Sequence, residues 1–417
     1  MSLKNRTTQP PSSVQAVSTH LATPAPVCWT DCLREEGVPR RPSSPLIGVL
    51  AGEGVGPEVV GCALQVLSAV EAVTRDKFAI EYGACIGRDA ERAGDTVLPQ
   101  GVIEFCRGVF ARGGAVLNGP GGGRYVYDLR RSFDLYCKLS PIRVSEELAG
   151  ASRLKPEHAR GVEILMVREN ASGLYQGSWK DERSPAGRRA EHCFSYTEAE
   201  VTRILRPAAR LAKSRRGHLT VVYKEAGVPS ISELWRDCAL DIAGRFGVRC
   251  AMVDIDLISY KLIQHPREYD VVVAPNLFGD VLSDLGGVLL GSRGLCFAAS
   301  YAVDGAGVYQ TNHGAAYDLA GTDRANPVGQ ILSLAMMLRE SFHLEASARL
   351  VEDAVTRVWR EGWRTGDLAE QGCRTIGTKE IGQRIAAAVQ PAATGARVRI
   401  EHATAAEKQT VTAGRIR

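Results

Sequence analysis

The stretch that most constrains this chain runs Val271-Val272-Val273-Ala274-Pro275-Asn276-Leu277-Phe278-Gly279-Asp280-Val281-Leu282-Ser283-Asp284. Its first four residues read as a buried strand, and the segment after Gly279 is compatible with a helix. In a helix Asp280 and Asp284 stand i, i+4 and share one face. Two carboxylates that close repel each other unless something positive sits between them. A divalent cation held by oxygen ligands is one resolution. Two solvated aspartates near a helix start, where they favour the helix dipole, are another. Spacing alone leaves both readings open.

The remaining chain repeats the strand-to-helix theme. The run Pro45-Leu46-Ile47-Gly48-Val49-Leu50 reads as a strand and enters the glycine turn Gly52-Glu53-Gly54-Val55-Gly56. A helix with Val59, Ala63, Val66, Leu67 and Val70 on one face follows. The glycine spacing does not fit the Rossmann fingerprint, so that fold is not expected. Further strands are expected over 113–117, 163–167, 219–223, 250–254 and 270–274, and helices over 198–213, 232–244 and 328–340. Such alternation predicts an α/β architecture.

With 417 residues, 45% of them hydrophobic and 24% charged, the chain is long enough for two domains with cores of their own. A net charge of +4 without an aromatic-interleaved basic stripe argues against a nucleic-acid partner. No apolar run reads as a membrane span. The 11 cysteines are scattered. Cys28 and Cys32 lie close together, but nothing completes a metal site around them, so reduced thiols in a cytoplasmic protein are expected. Residues 1–45 are rich in Pro, Ser, Thr and Ala without a hydrophobic period and read as a disordered extension, and 388–417 as a loose tail.

Several polar groups stand where core packing does not need them. Arg130 precedes Phe133-Asp134-Leu135-Tyr136, Arg168 and Glu169 end a strand just before Tyr175, and Lys224 and Asp256 follow two other strands. Strand C-termini are where ligands collect in α/β proteins. With His313-Gly314-Ala315-Ala316-Tyr317-Asp318-Leu319-Ala320-Gly321-Thr322-Asp323-Arg324-Ala325-Asn326-Pro327 and the 276–284 stretch, these segments come in the order of a known family. Over about residues 46–387 the chain resembles the decarboxylating dehydrogenases of isopropylmalate and isocitrate, and 276–295 looks closer to the isopropylmalate branch.

The resemblance implies an isopropylmalate/isocitrate dehydrogenase-like two-domain fold with a non-Rossmann sheet and an interdomain cleft. It implies a cofactor-binding domain over 46–135 and 291–387 and a substrate and dimerisation domain over 136–290. The implied reaction oxidises a 3-substituted malate with NAD and releases carbon dioxide. Asp256, Asp280 and Asp284 match the ligands of magnesium or manganese. Lys224 matches the base, a role that needs a lowered ammonium pKa, and Tyr175 matches the acid. Arg130 and Arg168 match the carboxylate clamps, with Val126 and Ser140 at other substrate positions. His313, Gly314, Ala315, Ala316, Asp318, Leu319 and Asn326 match the cofactor segment. A carboxylate at Asp318 predicts NAD, because it would repel a ribose phosphate. Lys224 and Asp256 would reach into the site of a second copy, making a homodimer.

The chain also departs from the family. Ser140 in Leu139-Ser140-Pro141 stands where an arginine is usual, and Lys138 and Arg143 are the nearby bases that could compensate. The 119–130 linker is short, the asparagine usual after Lys224 is missing, and Gln310 replaces a common glutamate. These changes fall around the substrate and predict a side group at carbon 3 other than isopropyl. Isocitrate-, homoisocitrate- or phosphonomethylmalate-type acids are the alternatives. A non-catalytic regulatory subunit is a competing reading that Ser140 favours. The retained Lys224, Tyr175, Asp256, Asp280 and Asp284 oppose it.

Overall fold

Residues 28–34 and 43–390 are described by the computed structural model. They run α1 (Trp29–Leu33), β1 (Leu46–Leu50), α2 (Gly56–Val73), β2 (Ala79–Tyr82), α3 (Gly87–Arg92), α4 (Gln100–Ala111), β3 (Ala115–Asn118), α5 (Tyr125–Ser132) and β4 (Cys137–Arg143). Next come α6 (Pro156–Ala159), β5 (Glu163–Glu169), the hairpin β6 (Ser178–Ser184) and β7 (Gly187–Cys193), and α7 (Glu198–Lys213). They continue β8 (His218–Tyr223), α8 (Pro229–Phe246), β9 (Arg249–Asp254), α9 (Ile255–Gln264), β10 (Val271–Ala274) and α10 (Asn276–Leu290). The last are β11 (Phe297–Tyr301), β12 (Gly307–Thr311), α11 (Val328–Glu340), α12 (Glu345–Arg360) and α13 (Thr378–Ala388).

One ten-stranded sheet runs β2-β1-β3-β12-β11-β4-β5-β10-β8-β9. β10 lies between β5 and β8, parallel to both, and all four of its residues are buried. Burial on both faces is why Val271–Ala274 is uniformly apolar. The sheet is mixed: β4 pairs antiparallel with β5 and β11, and β11 with β12. β4 had no strand signature in the sequence, because Lys138 and Ser140 break its apolar run. The linker over 119–130 contains the start of α5, whose Tyr125 is fully buried.

α2 has the length and apolar composition of a membrane span, which the sequence reading had not recognised. Ala63, Val66, Leu67 and Val70 of its stripe are buried in the main core and Val59 in a small cluster with Val55 and Ala325, so the apolarity is used in packing. α7 begins with a capping box, in which Thr197 and Glu200 satisfy each other's backbone N–H groups.

The expectation of disorder throughout 1–45 is corrected at α1. Leu33 is 1% exposed and joins the core. The Arg210 guanidinium donates to the carbonyls of Cys32 (3.2 Å) and Arg34 (2.6 Å), and Thr30 N–H donates to Glu340 Oε2 (3.2 Å). Five residues show no helical period, and only their docking partners reveal the helix. The remainder of 1–45, like 391–417, lies outside the described residues. Leu33→Ala is expected to cost about 2–5 kcal/mol, read as a lower urea midpoint with an unchanged slope.

Burial pushes the Glu340 carboxyl up to about 7, against bonds from Cys28 and Thr30 that lower it. A carboxyl whose folded pKa is raised binds extra protons in the native state. Stability is therefore highest below the unfolded value near 4.5 and falls as pH rises to about 7. Glu340→Gln should remove this share, on the order of 1–3 kcal/mol, flattening the loss of stability between acidic and neutral pH in urea titrations.

Candidate functional site

The site is built where α10 lies along β4 and β5. A Cβ at Gly279 would stand 2.8 Å from Arg168 Cβ, and one at Gly286 would stand 2.6 Å from Ile142 Cδ1. These two glycines, i and i+7, let the helix lie almost against the sheet. Asp280 and Asp284 are thereby carried over the β4–β5 face. Lys138, Ser140 and Ile142 share one side of β4 by its period of two, and Lys138 stands opposite Arg168 in the register.

Arg168 is 2% exposed. Its Nε and Nη2 donate to Asn276 Oδ1 at 3.2 and 2.8 Å, and its Nη1 pairs with Asp280 Oδ1. Asn276 is itself held: its Nδ2 donates to the Ser172 carbonyl (2.7 Å), and its N–H donates to Tyr196 Oη (2.9 Å). Tyr175, in the short turn after β5, donates its hydroxyl to Asp280 Oδ2 at 3.1 Å. Burial, then Asp280, pushes the Tyr175 phenol up to about 12, so it keeps its proton at neutral pH.

Burial raises the Asp280 pKa, but Arg168, Lys138 and Arg130 together outweigh it and the net shift is downward. Burial raises the Asp284 pKa, and the Arg293 guanidinium, 2.7 Å from its Oδ2, offsets only part of that. Burial and the neighbouring arginines push Lys138 well below the usual lysine range. Arg130 is lowered to about 10 by burial and then by Arg168.

The resemblance placed Val126 among the substrate contacts. Val126 packs with the apolar cluster around Tyr125 and Leu129. Tyr127 instead brings its ring centroid to 5.1 Å from that of Tyr175 and 5.4 Å from the Arg130 guanidinium. Arg124, Tyr127 and Arg130 recur at i, i+3, and Val126 stands i, i+4 from Arg130, so the contacts and not the spacing separate Tyr127 from Val126. Arg124 donates to the Tyr175 carbonyl at 2.9 Å. Tyr127 and Arg293 were not singled out from the sequence. An i, i+3 reading of the Arg124–Arg130 stretch could have found Tyr127. No sequence signal pointed to Arg293.

Lys224 and Asp256 form a separate pair, 2.8 Å apart at the ends of β8 and β9. Asp256 does not join Asp280 and Asp284 in this chain, and among the described residues no group of three His, Cys, Asp or Glu could hold a metal ion. The lowered ammonium pKa expected of Lys224 is also absent here, because its bond to Asp256 raises it. Asp280 and Asp284 remain a pair of hard oxygen donors that suit a magnesium-type cation.

At the other end, the 313–326 segment wraps the start of α2. Val55 N–H donates to the Ala315 carbonyl at 2.9 Å, and Leu319 and Ala316 pack against Val55, Val59 and Ala325. Ala316 holds a left-handed backbone with φ 43°, uncommon for alanine. Asp318 and Gly314 are exposed. Asn326 donates to Asp367 at 3.0 Å and accepts from the Val328 N–H. Burial lowers the His313 pKa, and His313 Nε2 is buried without a partner, a polar atom that a ligand could satisfy. Glu53, 1% exposed, accepts from the N–H groups of Arg88 and Gly122 and from Tyr317 Oη. It ties three loops together, a role not read from the sequence.

The family model described as isocitrate/isopropylmalate dehydrogenase matches residues 46–385. The 3-isopropylmalate dehydrogenase of Moorella thermoacetica is 39% identical over 355 residues, which is 81% of this chain and 97% of that one. The 3-isopropylmalate dehydrogenase of Aquifex aeolicus is 35% identical, over 81% of this chain and 95% of that one. The crystal structure of isocitrate dehydrogenase from Methylococcus capsulatus matches with a TM-score of 0.74 and 29% identity, over 83% of this chain and 99% of that one.

Proposed function

The chain belongs to the isocitrate/isopropylmalate dehydrogenase family, and from that premise we propose that it catalyses NAD- and divalent-metal-dependent oxidative decarboxylation of a 3-substituted malate to a 2-oxo acid and carbon dioxide. The observation that carries this reading is the buried cluster of Arg130, Lys138 and Arg168 under Asp280 and Asp284. It joins anion-binding cations to hard oxygen donors, which a dicarboxylate bound through a metal requires. His313 Nε2 and the exposed Asp318 support a nicotinamide dinucleotide without a ribose phosphate.

When bound, the metal would act as a Lewis acid toward the substrate oxygens, and the nicotinamide would accept the hydride. Arg130 and Arg168 would hold carboxylates and fix which bond faces the cofactor. Tyr175, protonated at neutral pH, would give its proton to the carbon that loses carbon dioxide. Lys224 would take the hydroxyl proton. Its raised pKa in the single chain means that it must leave Asp256 or meet positive charge to do so.

A second copy would supply that setting. Val281 and Val288 are 48% and 41% exposed on the side of α10 away from the sheet, beside α9 with Leu257 and Tyr260 at 47% and 65%. An apolar face of that kind supports a homodimer with shared sites. Ser140 favours the other reading, a subunit without turnover, because it removes a charge from the substrate floor.

The purified full-length chain with magnesium, NAD and a panel of 3-substituted malates tests the proposal. NADH is expected with at least one member, and NADP is expected to be a much poorer oxidant. No NADH from any member would count against the enzyme reading.

A further inference from the structure

Resting on the dehydrogenase reading, we propose that Lys138 holds a substrate carboxylate in place of the arginine that Ser140 displaces, so that recognition of the dianion is moved two residues along the same strand. Only one of the two bases near Ser140 is placed for this. Positions 138, 140 and 142 share the face of β4 covered by α10, whereas 143 has the opposite parity. Arg143 is exposed at the strand end, opposite Glu163. Lys138 lies opposite Arg168 on one side and Ser300 on the other, and directly opposed Cβ atoms lie about 5 Å apart.

The surroundings of Lys138 do not suit a structural lysine. It is 3% exposed, beside the 6% exposed Arg130 and the 2% exposed Arg168. Among the described residues no hydrogen bond or salt bridge engages its ammonium. Asp280 is bonded to Arg168 and Tyr175, and Asp284 to Arg293. Arg130 Nε is buried without a partner. A buried polar group that lacks an acceptor is costly, so this floor is not a stability device. Arg130, Arg168 and Arg293 already outnumber the two carboxylates before Lys138 is added, and a dicarboxylate would bring acceptors to both Lys138 and Arg130. The substrate class is therefore a dianionic malate with one carboxylate on Arg130 and Lys138.

The test compares the full-length protein with Lys138→Met, Lys138→Asn and the Lys138→Asn/Ser140→Arg double variant. Malate binding is measured by calorimetry and turnover by NADH formation. Lys138→Met should weaken malate binding and raise the substrate KM by about 10- to 100-fold. The KM for NAD and the melting temperature should hold, and kcat should change less than KM. Adding Ser140→Arg to Lys138→Asn should recover most of the lost affinity, which a merely structural role would not predict. Unchanged malate affinity in Lys138→Met, or no recovery in a folded double variant, would overturn the proposal. If the unsubstituted protein binds malate but reduces no NAD with any malate, the dehydrogenase reading fails, while a Lys138-dependent loss of binding still upholds this one. If it binds no dicarboxylate, both fall.

Discussion

Lys224→Ala is expected to lower turnover by about 10²–10⁴-fold while leaving the fold intact. The residue sits at the end of β8, its side chain 33% exposed, and its ion pair with Asp256 is of the surface kind that contributes little stability. A loss of rate therefore reads chemistry. Lys224→Arg should not restore it, because a guanidinium does not give up its proton near neutrality. Circular dichroism and the melting temperature serve as the fold controls. The shared-site arrangement adds a sharper outcome. Mixing Lys224→Ala chains with Asp280→Asn chains should regain part of the activity that each lacks alone. One site of the mixed pair would then hold an intact Asp280 and an intact Lys224. No recovery after verified subunit exchange would exclude the shared site, and near-normal turnover in Lys224→Ala would remove the proposed base.

Asp280→Asn is expected to abolish measurable turnover, by about 10³-fold or more, and to weaken magnesium binding, because it removes one hard oxygen ligand and unbalances the cations beneath it. The cost is also structural. Arg168 loses its ion pair and Tyr175 its acceptor. Breaking a fully buried pair costs about 3–5 kcal/mol. The Asp280 side chain is 39% exposed, which discounts that to about 1–3 kcal/mol. The Asp280 pKa is depressed in the folded state. Its contribution is thus present above the unfolded carboxylate value and lost as pH falls through the folded one. Denaturant titrations should show the variant less stable than the parent at neutral pH, with the gap closing on acidification. A gap that persists at low pH would mean the loss is one of packing.

Much of the frame was legible from residue patterns. The apolar stripe of α2, the ends of α7 and α11, and the passage from β10 into α10 follow from local periodicity. So does the placement of Asp280 and Asp284 on one helical face, which needs only the helical repeat. β4, β11 and β12 were not legible. They pair antiparallel in the middle of the sheet, where strand neighbours, and no local rhythm, keep them extended. α1 was hidden for a related reason: one turn of helix is too short to hold itself and exists through Arg210, Glu340 and the core.

By itself, then, the sequence determined the α/β alternation, the family pattern and the identity of most polar groups that meet around α10, because those depend on residue type and short-range spacing. Only the tertiary structure decided which base near Ser140 lies on the covered face of β4. Strand register puts Lys138 under Asp280 and leaves Arg143 at the exposed end. It also decided that the Tyr127 ring meets that of Tyr175, and that Arg293 reaches Asp284. Those facts arise from how separate elements are packed against one another, and contacts between distant segments carry no local signature.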